Sequence, residues 1–383
     1  MASTYVELVT QLRKPKIAHL TTVHSPVDVR IYYKECTSLA EAGYEVILIA
    51  PHERDEILPN GVRLRAVPKP RNRYTRMTWT VWQVLKVALS EAADVYHFHD
   101  PELIPVGVVL KLRRNRVVYD VHENVPEDIL TKNYIPYILR SLIGRSVGIA
   151  EYIATICFDG IVAATPAIAR RFPRKKTVPV QNFPILDEFV CNHPVPFSAR
   201  QPLIVYVGGI TEIRGIREMV QAMAFIPGTV GARLVLAGEC DPALESAVRR
   251  LDGAKHVEFL GWQSRNQVRD LLARARVSLV LYHPFAAHLE AQPNKLFEYM
   301  SASLPVIASD FPLWRKILGE CACGLVVDPL DPESIAKAIS WLLEHPEEAY
   351  AMGKRGREAV RTKYDWYGQA EELRMLYKEI LAQ

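Results

Sequence analysis

The 383-residue chain has no apolar run of the roughly 18 to 20 residues that a membrane span needs. Its nearest approach, residues 143–165, is interrupted by Arg145, Glu151 and Asp159. The opening residues MASTYVELVTQLRKPKIAHL lack the continuous apolar stretch of a secretory signal. Cysteine is sparse: Cys36, Cys157, Cys191, Cys240, Cys321 and Cys323 form no CxxC pair and are scattered through apolar segments. That excludes a disulfide framework and fits reduced, mostly buried thiols in a cytoplasm. The isolated Cys321-Ala-Cys323 pair does not make a zinc site. Nothing matches a DNA- or RNA-binding motif, so nucleic acid is not an expected partner. With 49% hydrophobic and 23% charged residues the composition excludes wholesale disorder, and the length exceeds one ordinary domain.

The net charge of +4 conceals an asymmetry. Residues 1–185 carry 25 Lys/Arg against 18 Asp/Glu, and residues 186–383 carry 22 against 25. A basic first half suits an anionic partner, and equally an uneven solvated surface. Basic and aromatic residues interleave from Arg71 to Trp79, with Trp82 just beyond; Arg113, Arg114 and Arg116 form a second cluster, and residues 170–176 a third. Such clusters fit peripheral contact with an anionic membrane face, or simply solvent.

Short apolar runs alternate with longer helical patterns, the signature of βαβ units and a parallel sheet. In the first half strands are expected at 16–22, 45–50, 62–67, 95–99, 117–121 and 160–164, with a helix over 30–42 ending at Gly43. Residues 181–202, rich in proline and polar side chains, read as an interdomain linker. Strands are expected again at 203–207, 233–237, 256–259, 277–281, 305–308 and 324–327. The expected helices are 217–224, 242–251, 264–273, 294–301 and 332–343. The fold class is therefore α/β, with two doubly wound parallel-sheet domains facing across a cleft, and ligands are expected at the carboxyl ends of the strands. The divisions are 1–185, 186–363 and a terminal helical stretch, 364–383.

The segment from His288 to Met300 reads HLEAQPNKLFEYM and precedes the apolar strand LPVIAS. Pro293 suits the first position of a helix, whose free backbone N–H groups make an anion site for a diphosphate. Lys295 in the first turn opposes the helix dipole, which an adjacent phosphate explains. Glu298, one turn on, can accept from a ribose diol, and Glu290 stands where a sugar hydroxyl can reach it. A second segment, LIVYVGGITEIRG from Leu203 to Gly215, is a buried strand running into a glycine turn. In the first half, VVYDVHEN brings His122 to a strand's carboxyl edge. His24–Arg30 (HSPVDVR) and His97–Glu102 (HFHDPE) follow other strands on that edge.

Glu290 and Glu298, seven residues apart, resemble the E-x7-E motif of the family 4 retaining glycosyltransferases, whose fold is GT-B, with two Rossmann-like domains. The resemblance covers nearly the whole chain and is most specific over 277–310. It implies that Glu298 holds the nucleotide ribose and Glu290 the donor sugar, with Asn294, Lys295 and Leu296 between them. It also implies that Gly208, Gly209 and Arg214 form the turn that holds the diphosphate. Arg214 stands for the family's lysine, whereas Gly209 occupies the position of its arginine, a missing cation that Lys295 can replace. His122 corresponds to the family's histidine beside the bond being broken, so the expected catalytic set is His122, Glu290, Lys295 and Arg214. Asp28, Arg30, His99, Asp100 and Glu123 are expected on the acceptor side, and Gly261 and Trp262 near the base. In the resembling fold the final helix crosses back to the first domain.

No Asp-x-Asp pair exists to hold a divalent ion, so no metal and no cofactor are expected, the nucleotide sugar being a substrate. The leaving diphosphate is then stabilised by Arg214, Lys295 and the helix terminus. Retention in the family is attributed to attack on the face the diphosphate leaves, which needs no protein nucleophile. The resemblance implies a UDP-sugar donor in preference to a GDP-sugar, a glycan, lipid-linked or small-molecule acceptor, and a cytoplasmic enzyme of the cell-envelope or polysaccharide type, able to touch the inner face of the membrane. A nucleotide-sugar epimerase and a non-catalytic nucleotide-sugar-binding module remain the alternatives.

Overall fold

The computed structural model describes residues 13–131, 136–190 and 195–383; Cys191 and most of the opening segment lie outside them. The chain divides into two compact units, one made of residues up to Asn182 together with Tyr367–Gln383, the other of Phe183–Trp366.

The first unit carries an eight-stranded sheet built from β1 (Lys16–Leu20), β2 (Glu45–Pro51), β3 (Glu56–Ile57), β4 (Arg63–Val67), β5 (Val95–Phe98), β6 (Arg116–Val121), β7 (Gly160–Ala163) and β8 (Thr177–Pro179). Their order is β3-β4-β2-β1-β5-β6-β7-β8, and every pairing is parallel except β3 with β4. The central strands β2, β1, β5, β6 and β7 are almost entirely buried, as expected of a parallel sheet covered on both faces. The second unit holds β9 (Leu203–Val207), β10 (Arg233–Ala237), β11 (Val257–Gly261), β12 (Val277–Val280), β13 (Val306–Ser309) and β14 (Gly324–Val327). Their order, β11-β10-β9-β12-β13-β14, is all parallel and doubly wound. The order reverses between β9 and β12 here and between β1 and β5 in the first unit, so each sheet has a crevice outside those carboxyl ends.

Several sequence expectations need correction. The two short edge strands β3 and β8 carry too little alternation to be read. The helix expected over 30–42 is a π-helical stretch, Val29–Cys36, running into the α-helix Thr37–Glu41. Residues 181–202 are no mere linker: Phe183, Phe189 and Phe197 are buried in the second unit's core. Of the described cysteines only Cys36 and Cys323 are buried, and Cys157 is exposed. No described helix is long and apolar enough to cross a membrane.

Candidate active site

In the second unit the chain leaves β9 through Gly208 and Gly209. Gly208 has φ +116°, a conformation that favours glycine, and a Cβ there would lie 3.0 Å from the Lys295 Nζ. A Cβ on Gly209 would lie 2.8 Å from the Arg214 Nη1. The two cations therefore converge over a bare stretch of backbone. Arg214, at the end of a single 3-10 turn, folds back so that Nη1 donates to the Gly209 carbonyl at 3.0 Å. The space an arginine side chain at 209 would need is already taken by Arg214.

Lys295 belongs to the helix Asn294–Ser301, and Pro293 sits just before that helix as its N-cap, not in its first turn. The side chain of Lys295 is buried: Nζ donates to the Tyr206 hydroxyl at 2.7 Å and stands 3.9 Å from the centre of the Tyr206 ring. Tyr206 in turn donates to the Gly209 carbonyl at 2.9 Å, and the Arg214 guanidinium lies 5.7 Å from the Tyr282 ring centre. Two tyrosines thus form an aromatic floor under two positive groups. Burial, and then the neighbouring Arg214 charge, hold the Lys295 ammonium well below its usual range, with Glu298 acting against them. An anion above Gly208 and Gly209 would relieve the repulsion, and the first turn of the helix offers N–H groups to it.

Glu298 is buried on the same helix and accepts from the Arg265 Nη1 at 2.8 Å; Arg265 Nε donates to Glu188 at 2.6 Å, and its guanidinium stacks 4.8 Å from the Phe189 ring centre. Burial opposes the Arg265 charge, but Glu298 and Glu188 outweigh it and raise its pKa. Arg265 was not singled out in the sequence, although the Ser264/Gln267 capping box marks the helix it begins. Glu290, exposed, caps the short helix Ala286–Leu289, and Asn294 is half-buried. Leu296 is a correction: its side chain is part of the core, and its N–H donates to the Pro293 carbonyl. Gly261 has φ +66°, and Trp262 beside it is exposed.

In the first unit the crevice between β1 and β5 is polar. Asp100 accepts from the Thr21 hydroxyl at 2.8 Å and the Thr22 N–H at 2.6 Å, and faces His24 at 3.4 Å. Asp28 caps the 29–36 stretch by accepting from the Arg30 and Ile31 N–H groups, and pairs with His24 at 3.3 Å. Burial would raise the Asp28 pKa, but the His24 hydrogen bond and charge prevail and lower it. For His24 the effect of burial is outweighed by Asp28 and Asp100, which raise its pKa.

His122 follows β6 immediately, and its Nε2 lies 2.9 Å from the Asp120 carboxylate and 3.1 Å from the His99 Nδ1. Asp120 is fully buried and takes a two-pronged bond from Arg30, at 3.0 Å from Nε and 2.8 Å from Nη2. Arg30, His99 and Asp100 are all buried, so they do not line an open acceptor surface; Arg30 and His99 instead back His122. Burial lowers the His99 pKa to about 4 despite Asp120. Glu123 is exposed next to His122. Beneath them Glu35 is also fully buried, and burial, reinforced by the Asp120 charge, lifts its pKa well above the carboxylate range.

Among the described residues Glu35, His97, His99 and Asp120 are one group that could share a metal ion, their donor atoms lying within 4.8 Å of one another. The Arg30 guanidinium already stands 3.0 Å from the Glu35 carboxylate and bonds Asp120, supplying the positive charge. In the first basic cluster Arg76 is paired with Glu102 at 2.8 Å.

Two doubly wound parallel-sheet units, one with paired cations beside a helix N-terminus, define the GT-B class of glycosyltransferases. Residues 29–182 match Glycosyltransferase Family 4 and residues 193–359 match Glycosyl transferases group 1; the chain belongs to this family and is a glycosyltransferase. It is 25% identical to an uncharacterized glycosyltransferase of Methanocaldococcus jannaschii, over 95% of this chain and 98% of that protein. It is 27% identical to a phosphatidyl-myo-inositol mannosyltransferase of Mycolicibacterium smegmatis, over 89% of this chain and 87% of that protein. The fold is shared with sucrose-phosphate synthase of Thermosynechococcus elongatus, with a TM-score of 0.78 at 21% identity, covering 96% of this chain and 100% of that one. It is also shared with HepE of Anabaena in complex with UDP-glucose, with a TM-score of 0.72 at 13% identity, covering 95% and 99%.

Proposed function

We propose that the protein moves a sugar, with retention and without a metal, from a nucleoside diphosphate donor, UDP in preference to GDP, to a glycan, lipid-linked or small-molecule acceptor. The observation that carries this reading is the convergence of Lys295 and Arg214 over Gly208 and Gly209. Two fixed cations and a helix N-terminus match the charge that a diphosphate gains as the sugar departs, and stabilise it without reorganisation. Glu298, held by Arg265, binds the ribose diol, while Glu290 and Asn294 meet the sugar and Gly261 and Trp262 flank the base. On the acceptor side Asp28, Glu123 and His122 supply polar groups, with Asp120 holding His122 in the tautomer whose proton is on Nε2.

The structures of HepE with UDP and UDP-glucose support a uridine donor, and the mannosyltransferase relative supports an acceptor carried on lipid. A cytoplasmic enzyme that touches the membrane periphery agrees with this. No cofactor has a role in the reaction so described.

Calorimetric titration with UDP, GDP and ADP, with and without EDTA, tests the reading. Micromolar binding of UDP, unchanged by EDTA and lost in Glu298→Ala, is the expected result. Failure of all three nucleotides to bind overturns the donor site.

A further inference from the structure

The helix Tyr137–Cys157 is amphipathic the wrong way round for a helix packed on a core. The residues it buries are Gly144, Glu151 and Thr155. Glu151 accepts from the Tyr119 hydroxyl at 2.9 Å and pairs with Arg171 at 2.5 Å, and Gly144 lies against the Pro126 carbonyl. The close approach at Gly144, with polar groups satisfied inward, anchors the helix without using its large side chains. Ile138, Leu142, Ile149, Tyr152, Ile153 and Ile156 instead point to solvent, Ile138 at 88% and Ile149 at 61% exposure. At 100° per residue these six positions fall on one stripe of an α-helix, with Leu142 and Ile149 two turns apart. Contiguous exposed apolar stripes mark interaction surfaces, whereas single exposed apolar residues do not.

Charge decides what the stripe meets. The only acidic residue in this helix is Glu151, which is turned inward, and the exposed Arg145 falls within the stripe itself. At the helix's C-terminal end Lys176 donates to the Ile156 carbonyl at 2.5 Å and to the Phe158 carbonyl at 2.6 Å. That ties the turn Arg174–Lys176 to the same end, with Arg174 and Lys175 exposed. An apolar stripe without exposed acid, set among basic groups and bearing a tyrosine, fits an interfacial helix whose side chains enter the acyl boundary while its cations meet lipid phosphates. The 21 residues span about 31 Å, enough to lie along a surface over several headgroups.

We infer that the exposed face of the helix Tyr137–Cys157 docks the protein in the plane of an anionic lipid bilayer. The inference rests on the proposed peripheral membrane contact and names the element that makes it; it does not depend on the donor site.

Co-sedimentation of the full chain with vesicles of phosphatidylglycerol and phosphatidylcholine, and with phosphatidylcholine alone, tests it. The chain is expected to pellet with the anionic vesicles and far less with the neutral ones. Ile149→Glu/Ile153→Glu changes two exposed positions, so folding and UDP titration stay as in the parent while vesicle partitioning falls about tenfold or more. Arg145→Glu/Lys175→Glu weakens partitioning on anionic vesicles only, by several-fold. Parent protein that pellets with neither vesicle, or a double glutamate variant that pellets undiminished, overturns the inference. So does light scattering that finds a parent dimer dissociated by the glutamate variant, because the stripe is then a protein interface. Loss of UDP binding with vesicle binding intact would strike the donor site alone.

Discussion

The Lys295 ammonium donates to the Tyr206 hydroxyl at 2.7 Å while standing 3.9 Å from the centre of the same ring. Tyr206 therefore serves this cation both as an acceptor and as a π face, and it passes the contact on to the Gly209 carbonyl through its own hydroxyl. Buried beside Arg214, Lys295 is held by aromatic and dipolar partners in place of a counter-ion, which leaves its charge available to an incoming anion.

Lys295→Ala is expected to slow transfer more than it weakens UDP binding, because its charge matters most as the diphosphate departs. Removing one charge-assisted contact of about 1.5 to 3 kcal/mol corresponds to a roughly 10- to 100-fold loss in kcat. Steady-state kinetics with kcat and KM resolved checks this; an effect confined to KM contradicts it.

Gly209→Ala separates packing from electrostatics. The new methyl meets the mobile end of Arg214 and no backbone, so stability is expected to fall by less than about 1 kcal/mol. Displacing the guanidinium weakens UDP binding several-fold, as calorimetry would read. The glycine is thus legible twice: the sequence showed a missing cation at 209, and the structure shows Arg214 occupying the room left by it.

His122→Ala and Asp120→Asn distinguish a reacting group from the residue that positions it. His122 is half-buried at the strand edge, so its loss is expected to abolish transfer while changing stability by about 1 kcal/mol or less. Asp120→Asn strips Arg30 of a fully buried partner and should cost about 3 to 5 kcal/mol in denaturant unfolding as well as activity. Equal stability loss in both variants would contradict the division of roles.

Acidification from pH 7 to pH 5 is expected to lower the unfolding midpoint. Burial first, then neighbouring histidine charge, depresses His19 and His97, and burial brings His99 to about 4. Each takes a proton more readily when unfolded, so each loses stability as pH falls below about 6.5. His24 and Glu35, both raised, act in the opposite sense, since the folded state holds their protons more tightly. Lys295, likewise depressed by burial, acts with the histidines, and a net fall in the midpoint is expected in thermal melts. A midpoint that rises over this range would refute the balance.

The parallel-sheet α/β class of both units was legible because buried parallel strands are continuous apolar runs separated by helix-length patterns; the order of the strands was not. Glu298 and Lys295 stood out in the sequence because charged residues at a helix start have few structural reasons to be there, whereas Arg214 was marked only by the resemblance. Arg265 was not, since its bond to Glu298 joins positions 33 residues apart on different helices. The inward turn of Arg30 was hidden for the same reason: its partner Asp120 is 90 residues away. The helix over 137–157 and its outward apolar face were not read from the sequence, because that orientation is decided by Glu151, Tyr119 and Arg171 together.

The segment Tyr367–Gln383 belongs to the first unit although all of Phe183–Trp366 precedes it. Its Tyr377 hydroxyl meets the His97 Nδ1 at 2.7 Å, and Leu376 and Ile380 close over Gly160. A ribosome therefore releases the second unit's whole sequence before it releases the piece that completes the first. The earlier-made sheet must wait with an open flank while the later-made one is free to fold, so maturation runs against the direction of synthesis.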